Sequence, residues 1–277
     1  MTLSERNTLF RVGLLIPAAA LLCMVVASFL IIPVYPVVFN ETTRRSVGII
    51  QTLVACFFQP NPYVPFASII SAVLYAFIVI IFIYRYFEKT QSPEILYIAF
   101  FVLSFALESA RIMVPLQLKY EFPSLYLIMS SRVLIFGRYF GIFSLFAASV
   151  YAAGFEVQKQ SYIVCIIALI TLVIALEVPI DGLLWDSTLC MISGYTTMFS
   201  IVEAGIILIT LVSFFISAYS RGIKEYIFIG LGAFLVTLGR TLLFTADTWI
   251  TPFPALASLT VGTWFICTRL HHIYLWF

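Results

Sequence analysis

The stretch Phe105-Ala106-Leu107-Glu108-Ser109-Ala110-Arg111-Ile112-Met113-Val114-Pro115, with Ser130-Ser131-Arg132 and Arg138 in the apolar run after Phe122-Pro123, decides how this chain is read. Its charges stand inside runs that are otherwise hydrocarbon. Glu108 and Arg111 are three residues apart, which on a helix places them on one face within pairing reach. A charge in the bilayer core costs at least about 2.5–3.5 kcal/mol on insertion scales, so such residues turn to a protein interior and have a task there.

Composition agrees. Of 277 residues 62% are hydrophobic and only 10% charged, where a soluble domain carries about a quarter charged residues. The mean hydropathy of +1.09 points the same way. The expected class is an all-α integral membrane protein, one polytopic domain over residues 1–277, with the lipid bilayer as its main partner. The formal charge of +2 identifies no other partner, and none of nucleic acid is expected. The first apolar run is too long for a signal peptide, and Ala18-Ala19-Ala20 sits in its middle, so a retained first span is expected.

A spanning helix needs about 20 apolar residues. By that measure eight spans are expected, near 10–34, 66–87, 94–116, 125–153, 161–179, 196–219, 225–246 and 254–276. Lys and Arg set the orientation. Arg6, Arg11, Arg85, Lys89, Lys159, Arg221, Lys224 and Arg269 fall on the N-terminal side, against Arg44, Arg45 and Lys119 opposite. Both termini are therefore expected in the cytoplasm, in a multi-pass protein of the cell membrane. In the long connection over 35–65, Arg44 to Phe58 reads as a short amphipathic external helix at the interface. Asn40-Glu41-Thr42 fits a glycosylation acceptor, a short pattern that carries no weight.

A faint internal repeat is visible. Tyr97-Ile98, Phe105 and Arg111 recur as Tyr226-Ile227, Phe234 and Arg240, and Phe122-Pro123, Leu125, Ile135 and Arg138 recur as Phe253-Pro254, Leu256, Ile266 and Arg269. This suggests a parallel 4+4 duplication with half-repeats 1–154 and 155–277.

Depth follows from the helical rise of about 1.5 Å per residue. Glu108, Arg111, Arg132, Glu203 and Arg240, from four helices, are expected at one level in the outer half, with Arg138 deeper. Arg111, Arg132 and Arg240 exceed Glu108 and Glu203 by one charge, so a small acidic or zwitterionic ligand would balance the layer. The candidate ligand-binding residues are Glu108, Arg111, Arg132, Arg138, Glu203 and Arg240. The plainer alternative is that these charges only lock helices together.

Several chemistries are disfavoured. All four lysines lie in loops, no aspartate lies inside a span, and the only histidines are His271 and His272, so retinal attachment, paired-aspartate proteolysis and Ser–His catalysis have no residues to work with. Five cysteines form no C-x-x-C pair, and no metal or cofactor is expected. Cys56 and Cys190, both in external connections, are a candidate disulfide in an oxidising compartment. Gly137-x-x-x-Gly141 reads as a close helix contact.

The expected function is a non-enzymatic sensory or receptor-like module. In outline it resembles the multi-span input domains that precede bacterial signalling enzymes, with no specific motif behind the likeness. The chain stops at Phe277 directly after the last span, so a separate cytoplasmic signalling partner, or further chain, would carry the signal. The alternative is a secondary transporter or channel for a small anionic or zwitterionic solute. Transporters of that kind use interrupted spans, and Pro17 alone is expected well inside one.

Overall fold

A computed structural model of the chain describes residues 3–31, 57–61, 63–88, 90, 92–154, 160–180 and 184–276. Among them the fold is all-helical, with one isolated bridge between Trp185 and Met191. The helices are α1 (Leu3–Ile31), α2 (Tyr63–Tyr86), α3 (Pro93–Ser104), α4 (Met113–Tyr120), α5 (Ser124–Ala152), α6 (Gln160–Glu177), α7 (Thr196–Arg221), α8 (Glu225–Phe244) and α9 (Pro252–Trp276). Seven segments of the described chain are long and apolar enough to cross a membrane. The last helix, α9, is as long as the others and less apolar, because Thr260, Thr263, Thr268, Arg269, His271 and His272 dilute it.

The third apolar segment, Pro93–Tyr120, is not one α-helix. A 3-10 stretch, Phe105–Ile112, joins α3 to α4 and carries Glu108 and Arg111. Pro115 bears on the C-terminal end of this stretch, and it sits inside the segment because α4 continues to Tyr120. Proline has no N–H to offer the carbonyl of Arg111, and its ring crowds that carbonyl, so the regular α pattern fails just upstream. The sequence reading ended this span at residue 116, which put Pro115 at its edge and hid the break.

Pro93–Tyr120 is also the centre of the bundle. In it 78% of the most apolar window is buried, against 17% for α6 and 11% for α7, which lie on the outside. Gly137 and Gly141 of α5 pack on it, as the spacing suggested. A methyl at Gly137 would lie 2.8 Å from Leu107 Cβ, and one at Gly141 would collide with Ser104.

The tightest pair is the antiparallel hairpin α8–α9, where Gly232 faces Gly262 and Ile266, and Gly239 faces Ala255 and Leu259. At Gly239 an added Cβ would lie 2.7 Å from the Ala255 carbonyl oxygen. Small residues here replace the side-chain layer that normally separates two helices.

Both chain ends lie on one face. Arg6 donates to the Phe87 and Thr90 carbonyls, which close the end of α2. His271 packs 4.2 Å from Tyr86 by ring centroid, and the Tyr274 hydroxyl donates to Glu94 at 2.6 Å. On the opposite face Lys119 donates to the Leu30 carbonyl in the last turn of α1. A cation on the last carbonyls of a helix is favoured by the helix dipole. Arg6, counted as a loop charge from the sequence, is in fact buried.

The proposed external helix at 44–58 lies outside the described residues except for Phe57 and Phe58, which are helical. The internal repeat is unconfirmed. Tyr97 and Tyr226, and Arg111 and Arg240, are buried alike, but Phe105 is buried where Phe234 is exposed, and α8 has no 3-10 interruption.

The glycine hairpin makes a direct prediction. Gly239→Ala should destabilise the protein by about 1–3 kcal/mol, the usual cost of overpacking. Gly205→Ala, with nothing within 4 Å of the added carbon, should be neutral or mildly stabilising. Thermal unfolding in detergent micelles checks both.

Candidate functional site

The short Glu121–Pro123 connection turns α5 back along Pro93–Tyr120 in antiparallel register. Leu107 stands opposite Gly137, Ser104 opposite Gly141, and Glu108 opposite Arg138. The Glu108 carboxylate therefore meets two guanidinium groups. Arg138 binds it side-on, with Nε 2.8 Å from Oε1 and Nη2 3.1 Å from Oε2. Arg111 Nη1 lies 3.2 Å from the same Oε2. Bidentate guanidinium–carboxylate pairs are among the stronger charge-assisted hydrogen bonds.

Arg111 does more than pair with Glu108. It donates through Nε, at 3.0 Å, and Nη2 to the Thr188 carbonyl, and Nη2 also reaches the Phe244 carbonyl at 3.2 Å. It thus ties the 3-10 stretch to the Leu184–Tyr195 connection and to the last turn of α8. That connection is itself held by Asp186, whose Oδ1 accepts from the Thr188 amide at 3.0 Å, the Thr188 hydroxyl at 2.7 Å and the Cys190 amide at 3.0 Å. Aspartate favours such turns because its side chain substitutes for a backbone acceptor.

The second ion pair joins α8 to α7. Arg240 donates through Nη1 to Glu203 and through Nη2, at 3.2 Å, to the Arg138 carbonyl. The Phe244 ring meets both arginines, with Arg138 at 4.9 Å and Arg240 at 4.8 Å from its centroid. Cation–π contact of this kind adds attraction where water is excluded.

Five of the six predicted residues therefore form one connected cluster: Glu108, Arg111, Arg138, Glu203 and Arg240. Three guanidiniums against two carboxylates leave one positive charge, as the sequence suggested, but with Arg138 in the place assigned to Arg132. Arg132 lies six residues nearer the α4–α5 turn, level with Val114 and beyond the reach of Glu108. It has no ion-pair partner among the described residues, and its Nε is buried without a hydrogen bond. Measuring depth separately along each span misplaced the two arginines, and the antiparallel register corrects them. The cavity next to Arg111, lined also by Ser130, Ser131 and Met191, holds about 10 Å³, room for one water molecule. The Glu108 and Arg111 side chains are sealed, while Arg138 and Glu203 remain 27% and 28% exposed.

Phe244, Thr188, Asp186 and Cys190 were not foreseen. Phe244 stands four residues after Arg240 on one helix face, a signal the sequence does contain. The Thr188 carbonyl and the Cys190 sulfur, the latter 3.2 Å from Arg138 Nη2, meet the cluster across long sequence separations that no local pattern announces. Cys190 carries a free thiol, and Cys56 lies outside the described residues. Among the described residues no group of His, Cys, Asp and Glu is placed to hold a metal ion.

Comparison with protein-family models, with curated proteins and with solved structures finds no match.

The ion-pair map sets two mutations apart. Glu108→Leu strands Arg111 and Arg138 and should cost about 3–5 kcal/mol, the penalty of breaking a buried pair from one side. Arg132→Leu removes no pair and should change stability by less than about 1 kcal/mol. Thermal unfolding of the two purified variants beside the wild type checks the contrast.

Proposed function

We propose that the chain is a non-enzymatic, multi-pass sensory module of the cell membrane, with eight crossings and both termini cytoplasmic. In this reading it binds a small acidic or zwitterionic ligand at the Arg138–Glu203 side of the charged cluster. The observation that carries it is the one unbalanced positive charge, together with the partial exposure of Arg138 and Glu203 while their partners are sealed. An anionic carboxylate at Arg138 would complete the charge balance, and Glu203 would select a zwitterion by its ammonium group. Stability alone is a poor reason for such a cluster, because a buried ion-pair network is often no more stable than an apolar core of the same volume. Signalling would pass to a cytoplasmic partner through the helices that the cluster joins. Both chain ends gather on one face, which suits an even number of crossings.

A second reading, solute transport, gains support from one specific feature. The 3-10 stretch interrupts the central span where its charges lie, and transporters commonly place binding sites at broken helices. A 3-10 segment inside a helix is also a frequent hinge.

Titration of purified protein with acetate, succinate and L-glutamate, followed by thermal shift, tests ligand binding. One or more of these probes should raise the melting temperature, and Arg138→Lys should abolish the shift while the protein stays folded, since lysine does not reproduce the bidentate contact. No shift with any probe, or an equal shift in Arg138→Lys, would count against the reading. Uptake of a binding probe into proteoliposomes separates transport from sensing.

A further inference from the structure

The outer ends of α6 and α7 enclose a second cavity, separate from the charged cluster. It measures about 350 Å³ and is lined by Val173, Ile174, Glu177, Val178, Pro179, Tyr195, Met198 and Phe199. Its shape follows from packing. α6 rests on α5, and α7 rests on α5 and α8, while α6 and α7 barely touch each other. The two are tied at the tip, where the Gly194 amide donates to the Pro179 carbonyl at 2.8 Å. Below that tie they part. Phe199, edge-on to Tyr139 of α5 with ring centroids 6.0 Å apart, forms the back wall.

The cleft opens on a flank where Leu172, Leu176, Ile201 and Val202 point outward. Water gains little from such walls, because it needs two or more polar partners to be held. In a bilayer the space is filled by hydrocarbon. The volume lies in the range of ordinary ligand pockets, roughly 300–1,000 Å³. Among the described residues one charged group stands at the mouth. Glu177 is exposed, ends α6, and has no ion-pair partner among the described residues. Tyr195 beside it offers an aromatic face, which attracts cations.

We infer that this cleft is a binding site for a phospholipid with an amine-bearing headgroup, its acyl chain between α6 and α7 and its ammonium at Glu177 and Tyr195. Charge complementarity selects the occupant: among the described residues the ionised group at the mouth is an anion, so a cationic amine is favoured over an anionic headgroup with the same chains. The site is independent of the ligand proposed for Arg138.

Native mass spectrometry of the detergent-solubilised full chain tests it, using phosphatidylethanolamine and phosphatidylglycerol of identical acyl chains. The wild type should retain the ethanolamine lipid over the glycerol lipid by about two- to fivefold, the range expected of a partly exposed ion pair. Glu177→Gln, at an exposed position, should bring the two lipids to parity. Val173→Trp, also at an exposed position, fills the cleft and should lower retention of both. Equal retention of the two lipids by the wild type would overturn the proposal. So would a preference that survives Glu177→Gln, or ethanolamine-lipid retention unchanged in Val173→Trp.

Discussion

The structure depends on one carboxylate shared by two guanidiniums. Glu108 accepts from Arg111 on its own segment and from Arg138 on the neighbouring helix. Through Arg111 the same group reaches the Leu184–Tyr195 connection and the end of α8, and through the Arg138 carbonyl it reaches Arg240 and, beyond that, Glu203 on α7. Five parts of the chain are thereby held at one level. In a low-dielectric interior each guanidinium is tolerable only with its partner in place. The helices must therefore assemble in this register or leave charges stranded.

The 3-10 stretch ahead of Pro115 supplies the local condition for this. Phe105–Ile112 is a 3-10 turn, in which the helical stack is narrower and rises about 2.0 Å per residue instead of 1.5 Å. Glu108 and Arg111, three residues apart, then lie nearly one above the other, since 3-10 geometry eclipses such positions. The short ion pair within the segment and the long reach of Arg111 to Thr188 both follow from that stacking. The break is thus part of how the cluster is built. It is also the feature that keeps a transport reading alive.

Much of this was legible in the sequence, for physical reasons that can be named. Apolar runs of spanning length fix helix number to within one, because a bilayer tolerates little else. Glu108, Arg111, Glu203 and Arg240 stood out because their burial is costly, and the structure brings all four together. Arg132 and Arg138 were exchanged because depth was reckoned from uncertain span ends, when the three-residue turn Glu121–Pro123 contained the better ruler. Pro115 falls one residue from the expected end of its span, where a break leaves no mark. The contacts of Thr188, Cys190 and Phe244 depend on tertiary register and leave no local mark, apart from the four-residue spacing of Phe244 from Arg240. The two spans of the α8–α9 hairpin were legible, but its close contact was not, because Gly232, Gly239 and Gly262 are not at the four-residue spacing that signals a close contact within one helix.

A double-mutant cycle tests the central claim most directly. Unfolding free energies of Glu108→Gln, Arg138→Gln and the double variant give the coupling between the two side chains, with Glu108→Gln and Arg132→Gln as the reference cycle. The shared-carboxylate structure predicts a coupling of about 1.5–3 kcal/mol for Glu108 with Arg138, and less than about 0.5 kcal/mol for Glu108 with Arg132. Coupling near zero in the first cycle, or larger in the second than in the first, would contradict it.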